Sequence, residues 1–243
     1  MPHDVLTPVD IPFWVEATAI VAGAAAGSLR AVREHLAISG VVALAVALGL
    51  GGGVIRDTLI QSGTPVAFTD SWFLPIALLT SVPVLLFAHL LSRLERVVFS
   101  VDALAIGLYS VIGADKALQY NIPPVGAALI GVLAGTGGSL LADLAVGVPP
   151  VLFRPGLLLG VASAFGTSLY VAGVWFTDAR AAFFLLGVFV VTTLRMISIF
   201  TGWGVGSAHQ LAERSEAMFG RLPNWHELQR DNGGSLFRRN RPT

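Results

Sequence analysis

Seven stretches of this chain are apolar for the length a helix needs to cross a bilayer, and this constrains the fold more than any other feature. They run near 11–29, 37–55, 72–91, 97–114, 123–146, 155–176 and 181–202. Each approaches the ~20 residues that span hydrocarbon. The sequence is 54% hydrophobic and 12% charged, where a soluble domain carries roughly 25% charged residues. A membrane protein of seven helices is the expected class. The N-terminus lacks the basic segment and small-residue cleavage site of a signal peptide, so the first span is expected to be retained.

The loops carry charge unevenly. Arg30 and Arg33 follow span one, Arg93 and Arg96 follow span three, Arg154 precedes span six, and the tail holds Arg214, Arg221, Arg230, Arg238, Arg239 and Arg241. The opposite side has only Lys116 and Arg180. The positive-inside rule then places the N-terminus outside and the C-terminus in the cytoplasm, a parity that seven spans satisfy. The tail, 206–243, is polar and is expected to be cytoplasmic and partly disordered. A short helix at 207–219 is compatible with its sequence.

Sliding the sequence on itself by 86 positions gives a gapless register from Glu16/Asp102 to Asp57/Asp143. Identical pairs include Gly27/Gly113, Gly40/Gly126, Gly49/Gly135, Gly51/Gly137, Gly52/Gly138 and Asp57/Asp143, and Arg30 pairs with Lys116. Apolar residues coincide readily in such a chain, whereas glycines and charges do not. The repeat unit is therefore three spans, 11–92 and 97–176, followed by a seventh helix at 181–203. An odd number of crossings per unit makes the second copy enter from the other side. That is an inverted-topology repeat, in which interrupted helices at matching positions point to the substrate or ion site.

The matching positions are "GLGGGVIRD" (49–57) and "GTGGSLLAD" (135–143). A glycine in a helix interior costs about 1 kcal/mol against alanine, so Gly51, Gly52, Gly53, Gly137 and Gly138 require a reason. In one reading they let helices approach closely. In the other the helix bends or unwinds and bares carbonyls to a water-filled path. The duplication, with an acid one turn beyond each segment, favours the path, and the hydroxyls of Ser110, Thr136 and Ser139 would share in replacing an ion's water.

Ionisable residues within spans mark ion pathways or tie helices together, and both readings apply to Asp57 and Asp143. Arg56 has Ala142 in its place in the second unit, and reads as a structural counter-ion. Lys116 is the only lysine in the chain. Following Asp115 at the end of span four, it can occupy a cation's place in a narrow path or snorkel to the interface. Glu16 and Asp102 are expected to open spans one and four, where carboxylates complement a helix N-terminus. The five histidines lack metal spacing, cysteine is absent, and no dinucleotide, phosphate-loop or nucleophile-elbow pattern occurs. No catalytic residue, metal site or cofactor is expected, and balanced charge points to no nucleic-acid partner.

"LGLGGGVIRDTLI" (48–60), "VDALAIGLYSVIGADKAL" (101–118) and "GVLAGTGGSLLADLAVGVPP" (131–150) resemble the prokaryotic members of the trimeric intracellular cation (TRIC) channel family. That domain pair is also described as glycine-transporter-type. The resemblance covers roughly 13–176, and "TLRMISIFTGW" (193–203) fits its last span. It implies a homotrimer with a pore in each protomer, conducting monovalent cations, chiefly K⁺. It also implies that spans two and five are kinked at Gly51, Gly52, Gly53, Gly137 and Gly138 and flank that pore. The family's fourth-span lysine corresponds to Lys116. In animal members that lysine begins a Lys-Glu-Val motif tied to phosphoinositide lipid, whereas this chain reads Lys116-Ala117-Leu118.

The reading that results is an all-α integral membrane protein of a prokaryotic inner membrane. It would be a homotrimer among lipids, passively conducting K⁺ and Na⁺ through glycine-kinked helices, with Asp57, Asp143, Arg56, Asp115 and Lys116 as the charged pore or gate groups. A secondary transporter of a small zwitterion such as glycine is the alternative from the same pattern, and a non-conducting scaffold is a third class.

Overall fold

The computed structural model describes residues 12–87, 95–153, 159–177 and 179–201. The tail expected at 206–243 lies outside the described residues, as do Arg93 and Arg154. Among the described residues there are eight α-helices and no strand. They are α1 (Phe13–Arg33), α2 (Ile38–Ile60), the one-turn α3 (Val66–Thr69), α4 (Phe73–Leu86), α5 (Glu95–Gln119), α6 (Pro124–Val146), α7 (Leu159–Phe176) and α8 (Arg180–Thr201), with a 3₁₀ turn at Val151–Phe153 before α7.

Five of these, α1, α2, α6, α7 and α8, are long and apolar enough to cross a membrane. Two further long helices accompany them. α4 has 14 residues, which at 1.5 Å per residue reaches about 21 Å. α5 has 25 residues and carries Asp102, Asp115 and Lys116 within it. Because α5 begins at Glu95, Asp102 stands two turns inside the helix rather than opening it, which corrects the expected N-terminal role. α5 is also central, packing against α1, α6, α7 and α8.

The 86-residue offset reappears in the backbone. His35 and Asn121 both adopt φ of 55–58°, and Gln61 and Gly147 both end their helices with positive φ. The bonds that close these ends match as well: the Leu36 N–H reaches the Ala31 carbonyl and the Ile122 N–H the Ala117 carbonyl, both at 3.0–3.1 Å. After the second helices, the Ser62 N–H reaches the Asp57 carbonyl and the Val148 N–H the Asp143 carbonyl. These are left-handed helix-ending turns that return a carbonyl's bond from beyond the last turn.

The glycines sit where helices touch. A Cβ on Gly27 would stand 2.2 Å from the Leu44 carbonyl oxygen, and one on Gly113 3.4 Å from the Ile130 oxygen. One on Gly49 would stand 3.2 Å from the Ile20 oxygen, and one on Gly135 2.9 Å from the Ile106 oxygen. Every one of these partners is again 86 positions from its counterpart. Between α2 and α6 the contact is reciprocal, since a Cβ on Gly52 would meet the Ala134 oxygen at 2.4 Å and one on Gly138 the Leu48 oxygen at 2.9 Å. Rising numbers on α2 face falling numbers on α6, so the two helices cross antiparallel, backbone on backbone. Both stay α-helical through their glycines. The expectation of an unwound segment with bared carbonyls is therefore corrected: close packing between helices, the other reading of these residues, is what occupies the glycine faces.

Gly52→Ala should lower the thermal stability of the detergent-solubilised protein by about 1–3 kcal/mol, because the added methyl meets backbone that cannot yield. Gly53→Ala should be neutral or stabilising, since the nearest atom to its added carbon is 3.9 Å away. Equal losses in the two variants would contradict the crossing.

Candidate functional site

Asp57, one turn past the glycines of α2, is fully buried (0% exposed). A bare carboxylate in such a place is very costly unless paired, and three donors surround this one. Arg56 Nε lies 2.7 Å and Lys116 Nζ 2.8 Å from Oδ1, while the Val66 N–H at the start of α3 donates to Oδ2 at 2.9 Å. Arg56 is itself 2% exposed and gives its other arm to Glu16 Oε1 at 2.8 Å. The chain Glu16–Arg56–Asp57–Lys116 thus ties α1, α2 and α5 at one end of the α2–α6 crossing. Arg56 is a structural counter-ion to two carboxylates, and the first-turn Glu16 spends its charge on that arginine.

Asp143 occupies the equivalent place on α6. Arg30 Nη2 of α1 lies 2.6 Å from its Oδ1, and the Val151 N–H that opens the 3₁₀ turn donates to Oδ2 at 2.8 Å. Arg30 also holds Glu34 at 2.9 Å. The two clusters exchange partners in a regular way: Asp57 of the first segment pairs with Lys116 of the second, and Asp143 of the second with Arg30 of the first.

Two further clusters were less legible. Ala142 stands where Arg56 stands in the first segment, and the acid equivalent to Glu16, Asp102, is met instead by Arg195 of α8 at 3.6 Å. Arg195 escaped notice because it belongs to no repeat, although a lone arginine within "VVTTLRMIS" (190–198) is the signal that could have found it. Asp115, expected beside Lys116 in the pore or gate, points elsewhere. It accepts from the Tyr170 hydroxyl, from Arg180 Nε at 2.7 Å and from Gln119 at 2.9 Å, which ties α5 to α7 and α8.

The expected ion-coordinating hydroxyls are turned inward. Thr136 donates to the Val132 carbonyl and Ser139 to the Thr136 carbonyl, both at 2.8 Å, and Ser110 is buried in the α5–α6 contact at Gly135. Tyr109 was not foreseen. Its ring lies against Gly52 and Gly53, and its hydroxyl donates to the Gly49 carbonyl. Beside it a cavity of about 20 Å³ is lined by Glu16, Leu50, Gly53, Arg56, Phe73 and Tyr109, room for roughly one water. Among the described residues no group of His, Asp and Glu could hold a metal ion.

A family model described as "Glycine transporter" matches residues 13–89 and again 99–175, two stretches separated by the same 86 positions. A membrane protein of Deinococcus radiodurans called UPF0126 is 31% identical over 187 residues, covering 76% of this chain and 86% of that one. The chain belongs to the TRIC/UPF0126 family. The UPF0126 inner membrane protein YadS of Escherichia coli is 25% identical over 77% of this chain and 91% of its own length. Among solved structures, the TRIC trimeric intracellular cation channel orthologue from Rhodobacter sphaeroides superposes with a TM-score of 0.71 at 28% identity, covering 77% of this chain and 97% of that one. This TRIC/UPF0126 chain is an integral membrane protein.

Removing one partner of a buried pair leaves an uncompensated charge and costs about 3–5 kcal/mol. Arg56→Met strands Glu16 and leaves Asp57 only Lys116 and the Val66 N–H, and should lose that much stability in a thermal melt. Lys116→Met should cost clearly less, because Asp57 keeps Arg56 and the Val66 N–H. A reversed order would contradict the network described here.

Proposed function

We propose that the chain is a passive channel for K⁺ and Na⁺, assembled as a homotrimer with one pathway inside each protomer. In this reading α1, α2, α4, α5, α6, α7 and α8 are seven membrane spans. The first three and the next three form oppositely inserted units, α8 is added to them, the N-terminus is outside and the C-terminus cytoplasmic. Lipids are the remaining partners, and the permeant ion is the only small species the pathway requires. The antiparallel α2–α6 crossing and the paired contacts at an 86-residue offset support that arrangement, and the basic residues support the orientation.

The observation that carries the functional reading is the likeness, over 97% of its length, to a chain described as a trimeric intracellular cation channel. A fold alone does not carry a function, but the site is consistent with it. Asp57 is a membrane-depth carboxylate whose Oδ1 is held by the ammonium of Lys116, and an ammonium is a cation of the kind a permeant ion would replace. The path follows the face of α2 toward α6. It is shut here by Lys116 on Asp57 and by the Tyr109 ring on Gly52 and Gly53, and opens when Lys116 withdraws and the helices part. No ring of filter carbonyls is built into it, so discrimination between K⁺ and Na⁺ is weak.

A transporter of a small zwitterion is the second reading, favoured by the description of the matching family model as a glycine transporter. The two separate in reconstituted liposomes and planar bilayers. The channel reading expects discrete unitary currents, and a several-fold rise in open probability or K⁺ flux for Lys116→Gln. Uptake of glycine that saturates, without unitary openings in either protein, would replace it with the transporter.

A further inference from the structure

The Lys116–Asp57 pair closes one end of the proposed path, and the structure holds a second pair at a place no gate has been assigned. From the crossing at Gly52 and Gly138, Asp57 and Asp143 each lie five residues further along. On antiparallel helices that is about 7.5 Å in each direction at ~1.5 Å per residue. The two carboxylates are therefore separated by about 15 Å along the path, half of the ~30 Å hydrocarbon, with the glycine crossing between them. Each is held by a cation from the other half of the molecule, at 2.8 Å for Lys116 and 2.6 Å for Arg30. Each also accepts the N–H that opens the short turn after its helix, Val66 in one case and Val151 in the other.

We propose that Arg30 and Asp143 form a second gate, in series with Lys116 and Asp57 and facing the opposite side of the membrane. The inference rests on the path proposed above and adds a residue pair and a side to it. On that path the geometry points to it: an ion travelling along the α2–α6 seam passes both carboxylates, and releasing Lys116 leaves Arg30 in place at the far end. The ends also differ. Ala142 stands where Arg56 stands, so withdrawal of Arg30 leaves Asp143 without the neighbouring guanidinium that Asp57 keeps. The second gate thus opens onto a barer carboxylate, which draws a cation more strongly.

The chain contains no cysteine, so single thiols can report access from each side. Gly53→Cys and Ser139→Cys each place a thiol four residues inside one gate, and a Cβ on Gly53 meets only the Tyr109 ring, at 3.9 Å. Full-length protein carrying one of these, in right-side-out and inverted membrane vesicles, is treated with a membrane-impermeant charged maleimide. Lys116→Gln should speed labelling of the Gly53→Cys thiol from one face, and Arg30→Gln should speed labelling of the Ser139→Cys thiol from the other face only. The increase should be roughly tenfold or more if the open form is normally a minor population of about 1–10%. Lys116→Arg and Arg30→Lys, which keep the charge, should label like the parent and guard against effects of misfolding. The proposal is overturned if Arg30→Gln changes neither rate nor side, or acts from the same face as Lys116→Gln. K⁺ flux in the same vesicles separates the two ideas. Sided labelling without flux in any variant removes the channel and keeps the gates, whereas flux that responds to Lys116→Gln but not to Arg30→Gln keeps the channel and removes the second gate.

Discussion

Contact between the backbones of α2 and α6 is the constraint on which the rest of the structure depends. With Gly52 on the Ala134 carbonyl and Gly138 on the Leu48 carbonyl, backbone meets backbone at the crossing, flanked by the Ile55 side chain at Gly137 and the Leu141 side chain at Gly51. In a membrane, where lipid is as apolar as leucine, such close approach supplies much of what holds helices together. It also fixes a register. Once the glycines face each other, Asp57 and Asp143 are carried to opposite sides of the crossing, and α1 and α5 are set beside their partners through Gly27, Gly49, Gly113 and Gly135.

That register determines where the charges fall. The acids of α2 and α6 are buried too deeply to stand alone, and each finds its cation at the end of the helix that begins the other segment. Because the cations cross between the segments, every movement that parts α2 from α6 also strains an ion pair. In the proposed channel, a separation sufficient for an ion would exchange a protein cation for a permeant one. On that reading the salt-bridged seam is the closed form, and the cavity beside Gly53 has room for roughly one water.

Much of this was legible in the sequence because glycines and charges rarely coincide by chance. The apolar runs located the helices, and the 86-residue offset brought Asp57 to Asp143 and Arg30 to Lys116. The helix conformation through the glycines was not legible: the same residues that allow a helix to unwind also allow two helices to touch, and only the neighbours decide. Asp102 was misplaced at a helix start because charge near the edge of an apolar run looks terminal, while α5 begins seven residues earlier. Tyr109 and Tyr170 were invisible for another reason. A tyrosine in a span reads as apolar until its hydroxyl is seen against the Gly49 carbonyl or Asp115.

The central claim is that cations pass where α2 and α6 meet, and a cross-link at that place tests it. A Cβ on Gly137 would lie 3.4 Å from the Ile55 Cβ, close to the ~3.5–4.5 Å that a disulfide needs. In the double variant Ile55→Cys/Gly137→Cys, reconstituted in liposomes, oxidation should abolish K⁺ flux and a reductant should restore it. Flux that continues unchanged with the disulfide formed would place the passage elsewhere in the molecule.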